Sequence, residues 1–463
     1  MICFKPVTIE DKNLFDTYLL NDIGVISDKS FFNIFCWQGF YDTMWSELEN
    51  CLVIRFKING FARLGYMVFG NNCQEIPHAI ILKLNNDALS FGQPLILTCL
   101  TEDNVKFLKS QTFVNFIFEE SRNSADYIYY RTDLVNLEGR KYAAKRNHIK
   151  QFKTQYKYEY KPLTKDGFKE CVKWNKKWNE KNEIISSTLV AESNAIEMAY
   201  NNFESLNLIG GILYVDDCII AFTYGSPLNN STVCVHVEKA NKNYVGVYAM
   251  INNLFAKNLP SPYQYINREE DLGDMGLRKS KLSYHPIFVK NKVLGMMLND
   301  DLYQIKKIWL KCFNDPESYF DAFLVRFYSP EYMITYKVNN KIVSVSYVVP
   351  CTGVMGNAAY LFGLATLPEH RGKGYASTVV REILELCKKK NFDVVIQIPA
   401  KESLKNFYSK LGFIDANIHL SFTSDFDLGT GNSNKDNAMI AFLKDQNTNH
   451  YPAELVCKPY DEI

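Results

Sequence analysis

From Ile342 to Pro368 the chain carries no charged side chain, a stretch long enough to cross a bilayer as a helix. A fold must therefore place this stretch in lipid or bury it in a core. Pro350, Thr352–Gly353 and Gly356–Asn357 interrupt it midway, and Val343, Val345, Tyr347 and Val348 favour strand. The pattern predicts two buried strands joined by a turn. At the N-terminus, charges fall where a signal peptide needs its apolar core, so a cytoplasmic location is expected.

At 463 residues the chain exceeds one core, and two to four units are expected. Lys and Arg number 52 against 51 Asp and Glu, which leaves no global basic field. Any contact with nucleic acid or anionic lipid must then be local. Twelve cysteines are scattered without a C-x-x-C pair or a His/Cys cluster at zinc spacing. That usage reads as reduced thiols, with no metal implied.

The first 130 or so residues mix short strands ("CLVIRFKI", "PLILTCL") with helical patches ("NVKFLKSQTFVNFIF"). Residues 139–161 are strongly basic, with Tyr142, Ile149 and Phe152 on one helical face. Residues 163–209 read as mainly helical. "GGILYVDDCIIAFTYG" predicts two strands around the turn at Asp216–Asp217, followed by the strand "STVCVHVEKA" and the helix "YVGVYAMINNLFAKNL". A strand, an acidic loop and a short helix occupy "YQYINREEDLGDMGLRKSKLSYHP". From about residue 291 the pattern changes. Helices are expected at 300–313, 316–327, 374–390 and 401–410, and strands near 332–337, 342–349, 359–366, 393–398 and 437–443. The polar stretch "TSDFDLGTGNSNKDN" reads as a surface loop.

The segment "LATLPEHRGKGYA", residues 364–376, carries chemistry. A strand that feeds a short loop and then a helix start gathers free backbone N–H groups and a positive dipole end at one point, which suits phosphate oxygens. Gly372 and Gly374 let the backbone approach an anion, and Arg371 and Lys373 add charge. The alternative for such a loop alone is a solvated turn with incidental glycines. In its context, with "FYSKLGF" at 407–413, the region from about 291 to 443 resembles the GNAT family of CoA-dependent N-acetyltransferases. Arg371, Gly374 and Ala376 match that family's pyrophosphate-binding signature.

The resemblance implies acetyl-CoA as co-substrate, with the backbone of Arg371, Gly372, Lys373, Gly374, Tyr375 and Ala376 around its pyrophosphate. It also implies that Leu364, Ala365 and Thr366 pair with the pantetheine arm and polarise the thioester carbonyl. Tyr408 would protonate the departing thiolate; otherwise it is a core tyrosine. Lys401 stands near a position where many relatives carry Asn. No carboxylate on the strand 359–366 can act as general base. Glu369 and His370 follow it, with loop exposure as their alternative role, and the base is unassigned. The acceptor, expected to be a small-molecule or peptide amine, leaves no signature, and neither does the oligomeric state.

The region 237–255, "VEKANKNYVGVYAMINNLF", repeats this pattern with altered chemistry. With Tyr248–Ala249 placed under Tyr375–Ala376, Arg371 becomes Tyr244, Gly372 becomes Val245 and Gly374 becomes Val247. Thirty-one residues after Ala249, "SKLSY" at 280–284 falls under "SKLGF" at 409–413, and Lys279 takes the place of Tyr408. The earlier copy is expected to have kept the architecture and lost the CoA loop.

Residues 1–290 also resemble the soluble catalytic part of phosphatidylglycerol lysyltransferases, through "NHIKQFKTQYKYEYKPLT" and "YINREEDLGDMGLRKSKLSYHP". Related uncharacterised bacterial proteins share this region. The resemblance implies an aminoacyl donor carried on tRNA, which the basic segment 139–161 could meet through Lys141, Lys145, Arg146 and Lys150; the alternative is a solvated amphipathic helix. Glu269, Glu270 and Asp271 would receive an ammonium group, or cap the helix at 277–283 and pair with Arg278 and Lys281. No transmembrane portion precedes this part, so direct access to a lipid head group is not expected.

The fold expected is α+β: tandem GNAT-like acyl-CoA N-acyltransferase folds with mixed central sheets flanked by helices. Two units, about 1–135 and 136–290, form an N-terminal domain, and 291–463 forms an N-acetyltransferase. The function expected is transfer of an acetyl or other acyl group from CoA to a primary amine by direct attack in a ternary complex. The alternatives are aminoacyl transfer from tRNA by the N-terminal domain, or a non-catalytic substrate-binding role for that domain.

Overall fold

Among the described residues, runs of β-branched and aromatic residues with period-two burial form two sheets. The computed structural model describes residues 2–19, 24–58, 63–70, 75–181, 187–353, 356–416, 419–422, 426, 428, 438–444 and 454–459. The N-terminal sheet holds β1 (Lys5–Pro6), β2 (Met44–Leu48), β3 (Cys51–Ile58), β4 (Arg63–Gly70), β5 (Ile96–Leu100) and β6 (Phe116–Tyr130). It continues with β7 (Tyr158–Pro162), β8 (Ile209–Val215), β9 (Cys218–Pro227), β10 (Thr232–Ala240), β11 (Tyr265–Asn267) and β12 (Phe288–Met297). Their order across the sheet is β1-β2-β3-β4-β5-β12-β6-β11-β10-β9-β8-β7.

That order is one pattern used twice and joined by exchange. β4 lies parallel to β5 in the first copy, and β10 parallel to β11 in the second. Each copy is then completed by the other's last strand. β12 inserts between β5 and β6, while β6 supplies the antiparallel partner of β11. The expected boundary between 290 and 291 falls inside β12, so the N-terminal sheet runs on to Met297.

One expected helical patch divides in two. The helix over Glu102–Ser110 starts from a Thr101 capping box, and β6 begins at Phe116. Ile117 faces one core, whereas Phe116 and Phe118 pack against another, and this alternation requires an extended backbone. The turn at Asp216–Asp217 forms as expected, with both residues left-handed (φ 48° and 58°).

The C-terminal sheet contains β13 (Met333–Val338), β14 (Lys341–Gly353), β15 (Gly356–Thr366), β16 (Val394–Gln397), β17 (Ile414–Asp415), β18 (His419–Phe422), β19 (Met439–Phe442) and β20 (Glu454–Pro459). Its order is β17-β19-β16-β15-β14-β20-β18, with β13 also paired to β14. The uncharged stretch is the β14–β15 pair, antiparallel from Ser344 opposite Thr366 to Gly353 opposite Gly356. Among the described residues no helix is long and apolar enough to cross a membrane.

Val345, Tyr347, Val349 and Cys351 face the helices Asp300–Cys312 and Glu317–Phe327, while Val348 faces the helix Tyr375–Lys389. The first of these cores also takes in Ile58, Ile96, Ile117 and Met296 from the N-terminal sheet. The helix Glu317–Phe327 is therefore enclosed between the two sheets. Arg63, buried there, donates to the carbonyls of Val325 and Tyr328 at 2.8 and 3.3 Å, and Arg326 donates through Nε to Glu119 at 2.9 Å. Of the polar stretch 423–437, Phe426 and Leu428 lie among the described residues, and both are buried in this core instead of lying on the surface; the rest lies outside them.

Because both sheets share that core, removing one of its central rings should weaken the whole chain. Phe323→Ala is expected to cost about 3–5 kcal/mol. It should lower a single cooperative denaturation transition, followed by circular dichroism in urea, and not split off a C-terminal one.

Candidate functional site

In the C-terminal sheet, β15 and β16 start together and then part. Their parallel pairing covers Ala358–Tyr360 opposite Val394–Ile396 and stops there. On the other side, β14 and β15 lose register between Val345 and Tyr347, so Ser346 opposes both Gly363 and Leu364. This bulge bends β15 away from β16. Gly363 is left-handed (φ 64°), and a Cβ there would lie 2.3 Å from the Trp309 ring, so glycine is required on both counts. Ser346 and Ser344 donate their hydroxyls to the carbonyls of Phe362 and Ala365, which pins the bent segment to β14. The edge of β15 beyond Tyr360 consequently faces a cleft with no strand beside it among the described residues.

The loop after β15 closes one end of that cleft. Pro368–His370 forms a single 3-10 turn, and Gly372 and Gly374 both take positive φ (76° and 85°). Gly374 is the N-cap of the helix Tyr375–Lys389, whose first N–H groups are left without intrahelical partners. A Cβ at Gly372 or Gly374 would meet nothing within 4 Å, so the loop borders open space. Arg371 folds back, donating through Nε to the Thr366 carbonyl at 3.1 Å. Lys373 is exposed, and the Tyr375 ring stacks on Tyr336 with centroids 4.6 Å apart. Leu364, Ala365 and Thr366 end β15 directly before this loop. The fold thus brings 364–366 and 371–376 together at one end of the cleft.

Tyr408 sits on the short helix Lys405–Ser409, buried with Leu361, Val379 and Phe413 on the face covered by the helix Tyr375–Lys389. Burial pushes its phenol up, so the hydroxyl keeps its proton at neutral pH. Among the described residues that hydroxyl has no hydrogen-bond partner. Glu369 is exposed and 3.9 Å from Lys311, and Lys401 is an exposed cap of a 3-10 turn.

Two polar atoms near the cleft are buried without partners, and only the first belongs to a residue that the sequence pattern did not single out. Gln397 is the next residue after the last position of β16 paired with β15, and its Oε1 is buried without a partner. His370 Nδ1, in the loop itself, is buried and unpartnered too. A glutamine closing the otherwise apolar "VVIQ" was the available signal.

The earlier copy keeps the turn and fills the space. Its helix Val247–Asn258 is capped by Gly246 (φ 80°), so glycine persists at the N-cap and aligns with Gly374, one position earlier than the sequence match put it. A Cβ on Gly246 would lie 2.3 Å from the His148 carbonyl, and Val245 N–H donates to the Tyr156 hydroxyl at 3.3 Å. The helix Ala143–Gln155 therefore occupies the region that stays open in the later copy. Lys279 is exposed where Tyr408 is buried.

This packing accounts for much of the basic segment. Tyr142, Ile149 and Phe152 are buried. Arg146 donates to the Gly139 carbonyl at 2.7 Å, and Lys145 lies 3.8 Å above the Tyr284 ring. Lys141 and Lys150 are exposed.

The acidic group divides among three partners. Glu269 meets His236 at 2.9 Å, Glu270 meets the buried Lys292 at 2.9 Å, and Asp271 is 2.8 Å from Arg278. Burial opposes the Asp271 charge, yet its bonds to Arg278, Tyr127 and the Gly273 N–H hold it at about 2. Asp274 caps the helix Met275–Leu282, and Lys281 bonds the carbonyls of Arg268 and Glu269, so neither the expected cap nor the Lys281 carboxylate pair forms.

Parallel strands that splay beside a glycine-capped helix, present in tandem, define the class: a protein of acyltransferase-like GNAT folds. The family model described as "Acetyltransferase (GNAT) family" matches residues 302–413. The chain belongs to the family described as "Phosphatidylglycerol lysyltransferase, C-terminal", whose model matches residues 25–293, more than half its length. A conserved protein of unknown function from Bacteroides thetaiotaomicron VPI-5482 is 39% identical, with a TM-score of 0.60, over 64% of this chain and 100% of its own. An uncharacterised protein of Mycoplasmoides gallisepticum is 27% identical over 217 residues, 46% of this chain and 68% of that one. L-PGS from Bacillus licheniformis is 15% identical, with a TM-score of 0.44, over 64% of this chain and 93% of its own.

Lys145 gives this region a pH signature. Burial, reinforced by Arg268, lowers its pKa from 10.5 to about 8. Between those values the unfolded chain holds the proton that the folded chain has released, so folding stability gains with rising pH. Lys145→Met should remove that gain, which thermal melts at pH 7.5 and 9.5 will show as a smaller difference than in the unaltered protein.

Proposed function

We propose that the C-terminal unit transfers an acetyl or related acyl group from CoA to a primary amine. The observation that carries this reading is the contrast between two equivalent loops. One has open space at both of its glycines, and the other has a helix carbonyl against its glycine. In this reading the N–H groups of 371–376, with Arg371 and Lys373, hold the pyrophosphate, and the unpaired edge of Leu364–Thr366 aligns the pantetheine arm. A backbone N–H there polarises the thioester carbonyl. The acceptor amine attacks the carbonyl carbon and gives up one proton to solvent, the C–S bond breaks, and Tyr408 delivers its proton to the leaving sulfur and is reprotonated from solvent.

Acetyl-CoA titrated calorimetrically into the full-length protein should bind with micromolar affinity. Arg371→Glu/Gly374→Val should weaken this by roughly tenfold or more. Tyr408→Phe should leave affinity unchanged and lower kcat by about 100-fold or more at a responsive amine. No binding to the unaltered protein would overturn the reading.

A second reading, aminoacyl transfer by the N-terminal domain, draws support from the filled loop of its second unit, which leaves no comparable place for CoA. It fits a family described as a lysyltransferase. The full-length protein should then bind tRNA with an affinity that falls steeply with salt, and Lys141→Glu/Lys150→Glu should flatten that dependence. Salt-independent or absent binding would leave this domain without the tRNA role.

A further inference from the structure

The N-terminal domain contains a second constellation, which shares only Glu269 with the acidic group expected to receive an ammonium. Ser226 Oγ lies 2.8 Å from His236 Nε2, and His236 Nδ1 lies 2.9 Å from Glu269 Oε1. We propose that Ser226, His236 and Glu269 form a nucleophile, a base and a positioning acid, and that the site cleaves small activated esters or thioesters.

The local backbone is shaped around these contacts. Ser226 on β9 stands opposite Cys234 on β10, and the register slips between Val235 and Val237, so His236 is the extra residue of a bulge. The bulge aims the imidazole back at the serine. Phe32 stacks on the ring at 3.6 Å with planes 6° apart, which fixes its plane. Glu269 is left-handed (φ 55°), a strained conformation for this residue, and is pinned by its N–H donating to Asn267 Oδ1 at 2.6 Å. Asn33 Nδ2 donates to the same Oε1 at 3.0 Å. Glu269 Oε1 accepts from Nδ1 beside the Asn33 amide, which leaves Nε2 free to accept from Ser226.

Ser226 is itself buried, 4% exposed, in the wall of a cavity. Ser226 and Phe32 line a cavity of about 400 Å³, while the His236 side chain behind them is only 2% exposed. Lys12, Lys29 and Asp16 also line it, with Lys12 paired to Asp16. In the reaction, Ser226 Oγ attacks the acyl carbon while its proton passes to His236. The bond to the alcohol or thiol breaks as His236 returns the proton to it. Water, deprotonated by His236, then cleaves the acyl-serine to release a carboxylic acid and regenerate Ser226.

The test treats the full-length protein with a fluorophosphonate probe, which loses fluoride as a P–O bond forms to an activated serine. Hydrolysis of p-nitrophenyl acetate is followed in parallel. One phosphonyl group should appear on the peptide containing Ser226. Labelling and ester cleavage should vanish in Ser226→Ala and fall by at least about 1,000-fold in His236→Gln. Glu269→Gln should slow labelling without changing the melting temperature, and Glu269→Asp should recover part of the rate. Absence of label on a protein that melts normally would overturn the proposal, as would label or esterase activity that survives Ser226→Ala. Cys234, His236 and Glu269 also have ligand atoms within 4.8 Å of one another. One equivalent of zinc bound through them, measured by elemental analysis, would overturn it too.

Discussion

One buried ammonium ties the N-terminal domain together. Lys292 lies on the exchanged strand β12, and its Nζ meets Asp28, Asp126 and Glu270, drawn from the first copy, from the other exchanged strand and from the second copy. Burial raises the Asp126 carboxyl, and the adjacent Lys292 opposes that shift. Ser27 and Asn267 add hydrogen bonds to the same carboxylate. Such a cluster specifies more than it stabilises. A misplaced β12 would leave three carboxylates facing one another in a low dielectric, which no apolar register error would penalise as strongly. The twelve-stranded sheet among the described residues and its central exchange both depend on that strand being in place.

The exchange has a consequence for the C-terminal unit. β12 leads directly into the helix Asp300–Cys312, and the next helix, Glu317–Phe327, packs between the sheets in a core shared by both. Trp309, on the first of these helices, in turn presses on Gly363 at the bulge that opens the cleft. The cleft is thus connected through tightly packed rings to the N-terminal sheet. Close-packed interiors transmit displacement instead of absorbing it, so the proposed acyltransferase centre is mechanically part of the larger molecule.

Equivalent loops in the two copies differ chiefly in what packs against them. Both helices start from a left-handed glycine, Gly246 and Gly374. Beside Gly246 stands the helix Ala143–Gln155, whereas no atom of the described residues lies within 4 Å of a Cβ placed on Gly374. A glycine required for its φ is retained in either case, because backbone conformation and ligand access are separate demands. The filled loop leaves the second unit with a different polar centre, around His236 and Glu269, within one strand pair of the same architectural position.

The sequence by itself determined what neighbouring residues decide. The apolar stretch 342–368 became β14 and β15, and the loop 364–376 became a positive-φ turn into a helix. Tyr408 fell on its short helix, and Asp216–Asp217 made their turn. Each follows from period-two or 3.6-residue burial and from φ preferences, which act over a few residues. Only the tertiary structure decided the exchange of β6 and β12, the enclosure of Glu317–Phe327 and the blocking of Gly246 by His148. Ser226, His236 and Glu269 belong with these, separated by 10 and 33 residues and joined by a strand register and a bulge. No local pattern encodes such contacts, because a residue's partner across a sheet depends on register, and register is settled only when all strands are buried together.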